Sequence, residues 1–305
     1  MAPWRRRYAR CPLGPSKVPG TSLSAFETRL LSALRSRWAG LAGAVFSVIA
    51  FGLLVYRLAS GESRAPSLAD AGIAPLFSGV AAFLVFQSMA ATMLRLLGVG
   101  PAARLWASSQ VVKYLPVPGS AMFGMAGGAL RRGYGTRAAL GLVARHTGAL
   151  AGSAVAIGAP AAAAAAAQRF GIPTALTVMV AVVVGLGGAM LAVADRPVHI
   201  RLAVVALACA AWASLGVGLW ATAGHMAGES LTVTASFPAA WVVGLAVLPV
   251  PAGLGVREFV LILLLESQLG TDGALAYAVV TRAMHVASDG LFALGVATIT
   301  RLGAA

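Results

Sequence analysis

Leu248-Pro249-Val250-Pro251-Ala252-Gly253-Leu254-Gly255 cuts through an apolar run at 237–265, and Leu115-Pro116-Val117-Pro118-Gly119-Ser120 cuts through another at 105–130. Proline lacks the N–H that a helix needs and disfavours helix in the residue before it, while glycine loosens the backbone beside it. Each run is therefore expected to fold as two short helices around a break. The piece after the second break, 256–266, has 11 residues. That is roughly 16 Å of helix, about half of a ~30 Å hydrocarbon core. Both runs read as re-entrant helical hairpins, tolerated at such depth only when buried in protein or lining a wet cavity.

The surrounding chain has the composition of a membrane protein. Of its 305 residues, 59% are apolar and 10% charged, against roughly 25% charged in an ordinary globular domain. A mean hydropathy of +0.86 leaves too little polar surface to coat a water-soluble particle. Uncharged runs at 38–56, 73–94, 146–168, 170–194 and 202–228 read as spans, since about 20 residues cross the core. A sixth, 273–300, is long enough but carries Arg282 and Asp289. Residues 1–37, rich in Arg, Pro and Gly, read as a largely disordered cytoplasmic N-terminus ahead of a retained signal-anchor. Residues 38–301 then form a single membrane domain.

Several function classes drop out. Cys11 and Cys209 give no disulfide framework, and the four histidines form no metal-binding pattern. There is no phosphate-binding loop and no nucleophile–histidine arrangement of credible spacing, so no enzyme, cofactor or metal is expected. The net charge of +14 lies mostly in short segments between apolar runs, the pattern of cytoplasmic loops and not of a nucleic-acid-binding face.

The repeated tetrapeptide points to duplication. The unit would be span, span, hairpin, span, over about 38–165 and again over 170–300. An arginine follows each hairpin, Arg145 at 27 residues after Pro118 and Arg282 at 31 after Pro251. Three spans per unit is an odd number, so the second copy enters from the opposite face, giving an inverted-topology repeat. The expected fold is thus an all-α integral membrane protein of six full transmembrane helices plus two re-entrant hairpins. With the N-terminus inside, 17 Lys and Arg lie on the cytoplasmic side and 4 outside, with Arg145 and Arg282 within the membrane. That asymmetry places both termini in the cytoplasm of a cell with this protein in its plasma membrane, and the segment 224–236 in an external loop.

The candidate chemistry lies at the breaks. Short helices starting near the midplane aim unpaired N–H groups and a positive dipole end inward, which suits an anion. Ser120 is placed to cap the helix after the first break, and Gly253 and Gly255 expose backbone before the second. Arg145 and Arg282 sit roughly 12–14 Å along their helices, near mid-depth, where an unpaired charge costs at least ~2.5–3.5 kcal/mol. Together they make a two-faced phosphate site, one arginine from each repeat; the plainer reading is that they pair with Asp289 or Glu258 to lock the bundle. Arg257 and Glu258 open a helix and serve either as ligands or as cap and packing. Lys113, leading with Tyr114 into the first break, either gathers anionic headgroups or snorkels to the cytoplasmic surface. Arg282, His285 and Asp289 fall at i, i+3 and i+7 on one helix face, a candidate proton-coupling column. Gly148-x-x-x-Gly152 and the alanines of 161–167 offer faces for close helix packing.

Two stretches carry a family resemblance. Ser109-Gln110-Val111-Val112-Lys113-Tyr114-Leu115-Pro116, with Arg131-Arg132-Gly133-Tyr134 after it, resembles a motif of the lysylphosphatidylglycerol synthase transmembrane (flippase) family. Pro249-Val250-Pro251-Ala252-Gly253-Leu254-Gly255-Val256-Arg257-Glu258 resembles that family's Pro-Gly-Gly-Leu-Gly-x-Arg-Glu segment, and a helix with Arg282 and Asp289 follows as in the family. Pro118 is extra, Ala252 stands where glycine is frequent, and the aminoacyl-transferase domain does not follow. The resemblance implies a stand-alone translocase-type domain without synthase activity. The expected function is a lipid translocase moving a phosphate-bearing headgroup, phospholipid or polyprenyl-phosphate-linked sugar, between leaflets. The alternative is a non-enzymatic accessory subunit that positions a lipid-modifying enzyme or glycosyltransferase. Anionic lipid is the partner in either case, and nucleic acid is not.

Overall fold

The computed structural model describes residues 73–114, 119–223, 230–247 and 255–302. The expected N-terminal segment, the span 38–56, both LPVP tips and Gly253 lie outside the described residues. Among those described, every regular element is helical: α1 Ile73–Leu96, α2 Ala102–Val112, α3 Ser120–Leu130, α4 Thr136–Phe170, α5 Thr174–Ala192, α6 Val198–Ala223, α7 Ser230–Ala246 and α8 Val256–Leu302. Five of them, α1, α4, α5, α6 and α8, are long and apolar enough to cross a membrane.

Their surface fits that medium. In α5 only Gly185 and Ala189 are buried, while Leu176, Met179, Val180, Val183, Val184 and Leu191 face outward. Such a helix facing water would be a large aggregation-prone patch; facing lipid it needs no cover. What holds it to α4 is backbone proximity. A Cβ added at Gly152 would lie 2.5 Å from Gly185 O and from Ala189 N, and one at Gly158 would lie 2.7 Å from Ala239 N of α7. The small-residue face expected around Gly148 and Gly152 is therefore the α4–α5 seam, and Gly148 meets Ala192 there. Beneath it, α6 packs on α1, α4 and α7 around Trp212, Phe83 and Phe237, all fully buried.

Helices end on either side of both proline-containing segments. Across the first, α2 and α3 pack on each other antiparallel: Gly124 approaches Val112 and Ser109, while Gly128 approaches Leu105. At 11 residues each, these helices are roughly 16 Å long, too short to span. The second break separates α7 from α8, and α8 is itself bent. Gly270 has φ 70° and ψ 166°, a region open essentially only to glycine. Residues 258 and 282 would lie about 36 Å apart in one straight helix, yet their side chains meet at 3.6 Å. Gly270 therefore folds the second leg of α8 back along the first.

Two expected boundaries shift. The helix holding His146 starts ten residues earlier, at Thr136, because Arg137 and Arg145 limit depth in a membrane without ending a helix. The external loop expected over 224–236 is helical from Ser230 onward. Within it Ser236 turns its Oγ back to Val233 O at 2.8 Å, satisfying itself within the helix.

Candidate functional site

Five formally charged side chains converge between the α2–α3 hairpin and the two legs of α8. Lys113, at the end of α2, places its ammonium 2.7 Å from Oδ2 of Asp289, with side chains 9% and 2% exposed. Asp289 is held from three sides, since it also accepts from Tyr114 Oη at 2.5 Å and from the Gln87 amide of α1. Trp106 Nε1 donates to Gln87 Oε1 at 2.5 Å and so fixes which way that amide points. The carboxylate thus ties three elements together, and a buried charge survives only with partners of this kind.

Glu258 organises the other side. As the third residue of α8 it accepts the Gly255 N–H on Oε2 at 2.8 Å, the reaching-back half of a capping box, with Gly255 in the left-handed region at φ 82°. The positive end of this helix therefore meets its own carboxylate. Oε1 of Glu258 accepts Arg257 Nη2 at 3.0 Å and lies 3.6 Å from Arg282 Nη1. Among the described residues the Arg282 guanidinium makes no hydrogen bond; it lies over the Tyr114 ring, 5.6 Å from the centroid. The Nε of Arg257 is buried with no hydrogen-bond partner among the described residues.

His285 stands between two cations. Its Nε2 is 2.9 Å from Lys113 Nζ and its Nδ1 is 3.2 Å from Arg257 Nη1, with the ring stacked on Phe83 at 4.6 Å. A neutral imidazole offers one lone pair, so in either tautomer it accepts from only one of them. Donors outnumber acceptors here. A cavity of about 150 Å³ opens on the cluster, with Lys113, Arg257, Arg282, His285, Ser109, Gln110 and Ser120 in its wall. Phe83, Phe86, Trp106, Trp212, Phe237 and Trp241 supply an aromatic remainder.

The structure thus brings together Lys113, Tyr114, Arg257, Glu258, Arg282, His285 and Asp289, with Gly255 directly beneath. Lys113 does not snorkel; it is buried on Asp289. Ser120 does not cap α3, whose N-cap is Gly119 at φ 66°; its Oγ donates to Lys113 O at 2.9 Å and so clasps the two ends of the break. Arg282 and Asp289 share a helix face but do not pair, because Lys113, 176 residues away in sequence, takes the carboxylate.

Arg145 is not in the site. Its Nη2 lies 2.7 Å from Asp195 Oδ2 after α5, with side chains 26% and 47% exposed. Helical side chains lean toward the N-terminus, and Arg145 lies back over Gly141, one turn closer to the start of α4. The symmetric pair of arginines expected from the repeat is therefore replaced by Arg257 and Arg282 from one element. Gln87, Ser109, Gln110 and Trp106 were missed as site residues. A lone amide inside the uncharged run 73–94 was the available signal for Gln87.

A scan against protein-family models finds no match to the chain, and a search of curated proteins finds none either.

Proposed function

We propose that this chain is a lipid translocase of the flippase type, which binds an anionic, phosphate-bearing lipid headgroup and carries it across a cell membrane. One observation carries the reading: three buried cations, Lys113, Arg257 and Arg282, line one cavity inside a bundle of apolar helices, and among the described residues two buried carboxylates, Glu258 and Asp289, lie against them, leaving one positive charge over. Uncompensated intramembrane charge is expensive, and its ordinary use is to hold or move something of opposite sign. The headgroup sits at Arg282, Arg257 and Lys113, and the acyl tails stay in lipid.

The wider architecture belongs to the same proposal. Six spans and two re-entrant hairpins form an inverted repeat with both termini cytoplasmic, and alternating access comes from rocking one repeat against the other. The motifs around Lys113 and around Arg257 and Glu258 support it through their resemblance to the lysylphosphatidylglycerol synthase transmembrane family. His285 and Asp289, in contact with Lys113, are the proposed coupling element for protons.

The test is the lipid that accompanies the protein. Mass spectrometry of protein purified in mild detergent should find anionic phospholipid or lipid phosphate enriched over the parent membrane, and Arg282→Ala should lose the enrichment. A lipid profile identical to the membrane's in both proteins would count against the proposal.

A further inference from the structure

Resting on the anion-site reading above, the cluster's own charge balance narrows the ligand. We propose that the site takes a singly charged phosphodiester and discriminates against phosphomonoesters and diphosphates. The five charged residues are all at least nine-tenths buried: Lys113 7%, Arg257 4%, Glu258 2%, Arg282 6% and Asp289 2% exposed. Lys113 neutralises Asp289, and Arg257 neutralises Glu258. Arg282 is the remainder, 3.6 Å from a Glu258 oxygen that already accepts from Arg257. Arg145 and Asp195 balance one another elsewhere.

One negative charge therefore brings the buried sum to zero. A dianion leaves it at minus one, with no further cation in the cavity wall among the described residues to meet it, and buried charge without a partner is strongly disfavoured. The donors agree with this count. Arg282 presents a guanidinium free of hydrogen bonds among the described residues, and Arg257 lies beside it in the cavity wall. A planar fork binds two oxygens side by side, and a phosphodiester has two unesterified oxygens to give.

The experiment uses the full chain in detergent and reads quenching or shift of tryptophan fluorescence, since Trp106, Trp212 and Trp241 line the cavity. The probes are dihexanoyl phosphatidylglycerol (one charge), dihexanoyl phosphatidic acid above about pH 8, where a phosphomonoester carries close to two charges, and dimethyl phosphate, a phosphodiester without tails. Phosphatidylglycerol should bind tighter than phosphatidic acid by about tenfold or more, because an unpaired buried charge costs more than a factor of ten represents. Glu258→Gln raises the surplus to two and should narrow or invert that order; Asp289→Asn, which changes the charge in the same way from the other side, guards against one variant failing to fold. Equal affinities in the natural protein, or an order unchanged in both variants, would overturn charge selection while leaving an anion site. Binding of neither lipid would overturn the anion site itself. Dimethyl phosphate binding as tightly as the lipid would keep the charge rule and remove lipid as its source.

Discussion

The pair Lys113–Asp289 gives the sharpest energetic test of the site. Both side chains are buried, the ion-pair distance is 2.7 Å, and the residues belong to elements 176 positions apart. Lys113→Met leaves a buried carboxylate that still accepts from Tyr114 and Gln87, while Asp289→Leu leaves a buried ammonium with Gln110 and His285. Removing one partner of a buried pair costs about 3–5 kcal/mol. At roughly 2 °C per kcal/mol for a chain of this size, each single variant should lose about 6–10 °C of Tm in detergent. Together the two changes substitute an apolar contact for the pair, and such exchanges are often close to neutral. The double variant should therefore be no worse than either single one. Thermal melts of the four proteins give the coupling energy directly. Strict additivity, with the double variant losing the sum of the singles, would refute a coupled pair and with it the reasoning that Lys113 is spent on Asp289.

Further outcomes follow from other parts of the molecule. Arg145→Ala should cost at most about 1 kcal/mol, as exposed ion pairs do, and should leave translocation intact, checked by melts and by lipid translocation in reconstituted liposomes. Gly152→Val should destabilise by about 1–3 kcal/mol or more through overpacking of the α4–α5 seam; Gly187→Val, on an open stretch of α5, should not, and paired melts distinguish them. Replacing Gly270 by Val forces a branched side chain into a backbone region that glycine alone occupies, so folded yield should fall sharply in size-exclusion profiles.

What could be read in the sequence and what could not divide along a physical line. Uncharged length predicts the helices at 73–96, 174–192 and 198–223 well, because the cost of charge in hydrocarbon is a local property of the chain. The prolines likewise predict the α2–α3 and α7–α8 breaks, since a missing N–H acts on its own helix. The face shared by Arg282, His285 and Asp289 follows from helical spacing, and all three are indeed buried together. Spacing says nothing of who pairs with whom. Asp289 has an arginine and a histidine within two turns, yet it bonds Lys113, Tyr114 and Gln87 from distant elements. Spacing likewise groups Arg145 with Arg282, yet its flexible side chain lies back over Gly141 and pairs with Asp195 beyond α5. The fold-back of α8 was invisible for a related reason: Gly270 is one glycine among 36, and only its backbone angles single it out.

Translocation by the natural protein and by Arg282→Ala, side by side in liposomes, tests the central claim most directly. Vesicles carrying a headgroup-phosphate lipid with a fluorescent tail are treated with an impermeant quencher that bleaches the outer leaflet alone. With the natural protein the signal should fall well below the level of protein-free vesicles, as inner-leaflet lipid reaches the surface. With Arg282→Ala, folded and inserted to the same extent, it should stop at the protein-free level, and Arg282→Lys should recover little of the loss because lysine lacks the planar fork. Equal bleaching by the natural protein and the alanine variant, or none by either, would contradict an anionic headgroup carried at this site.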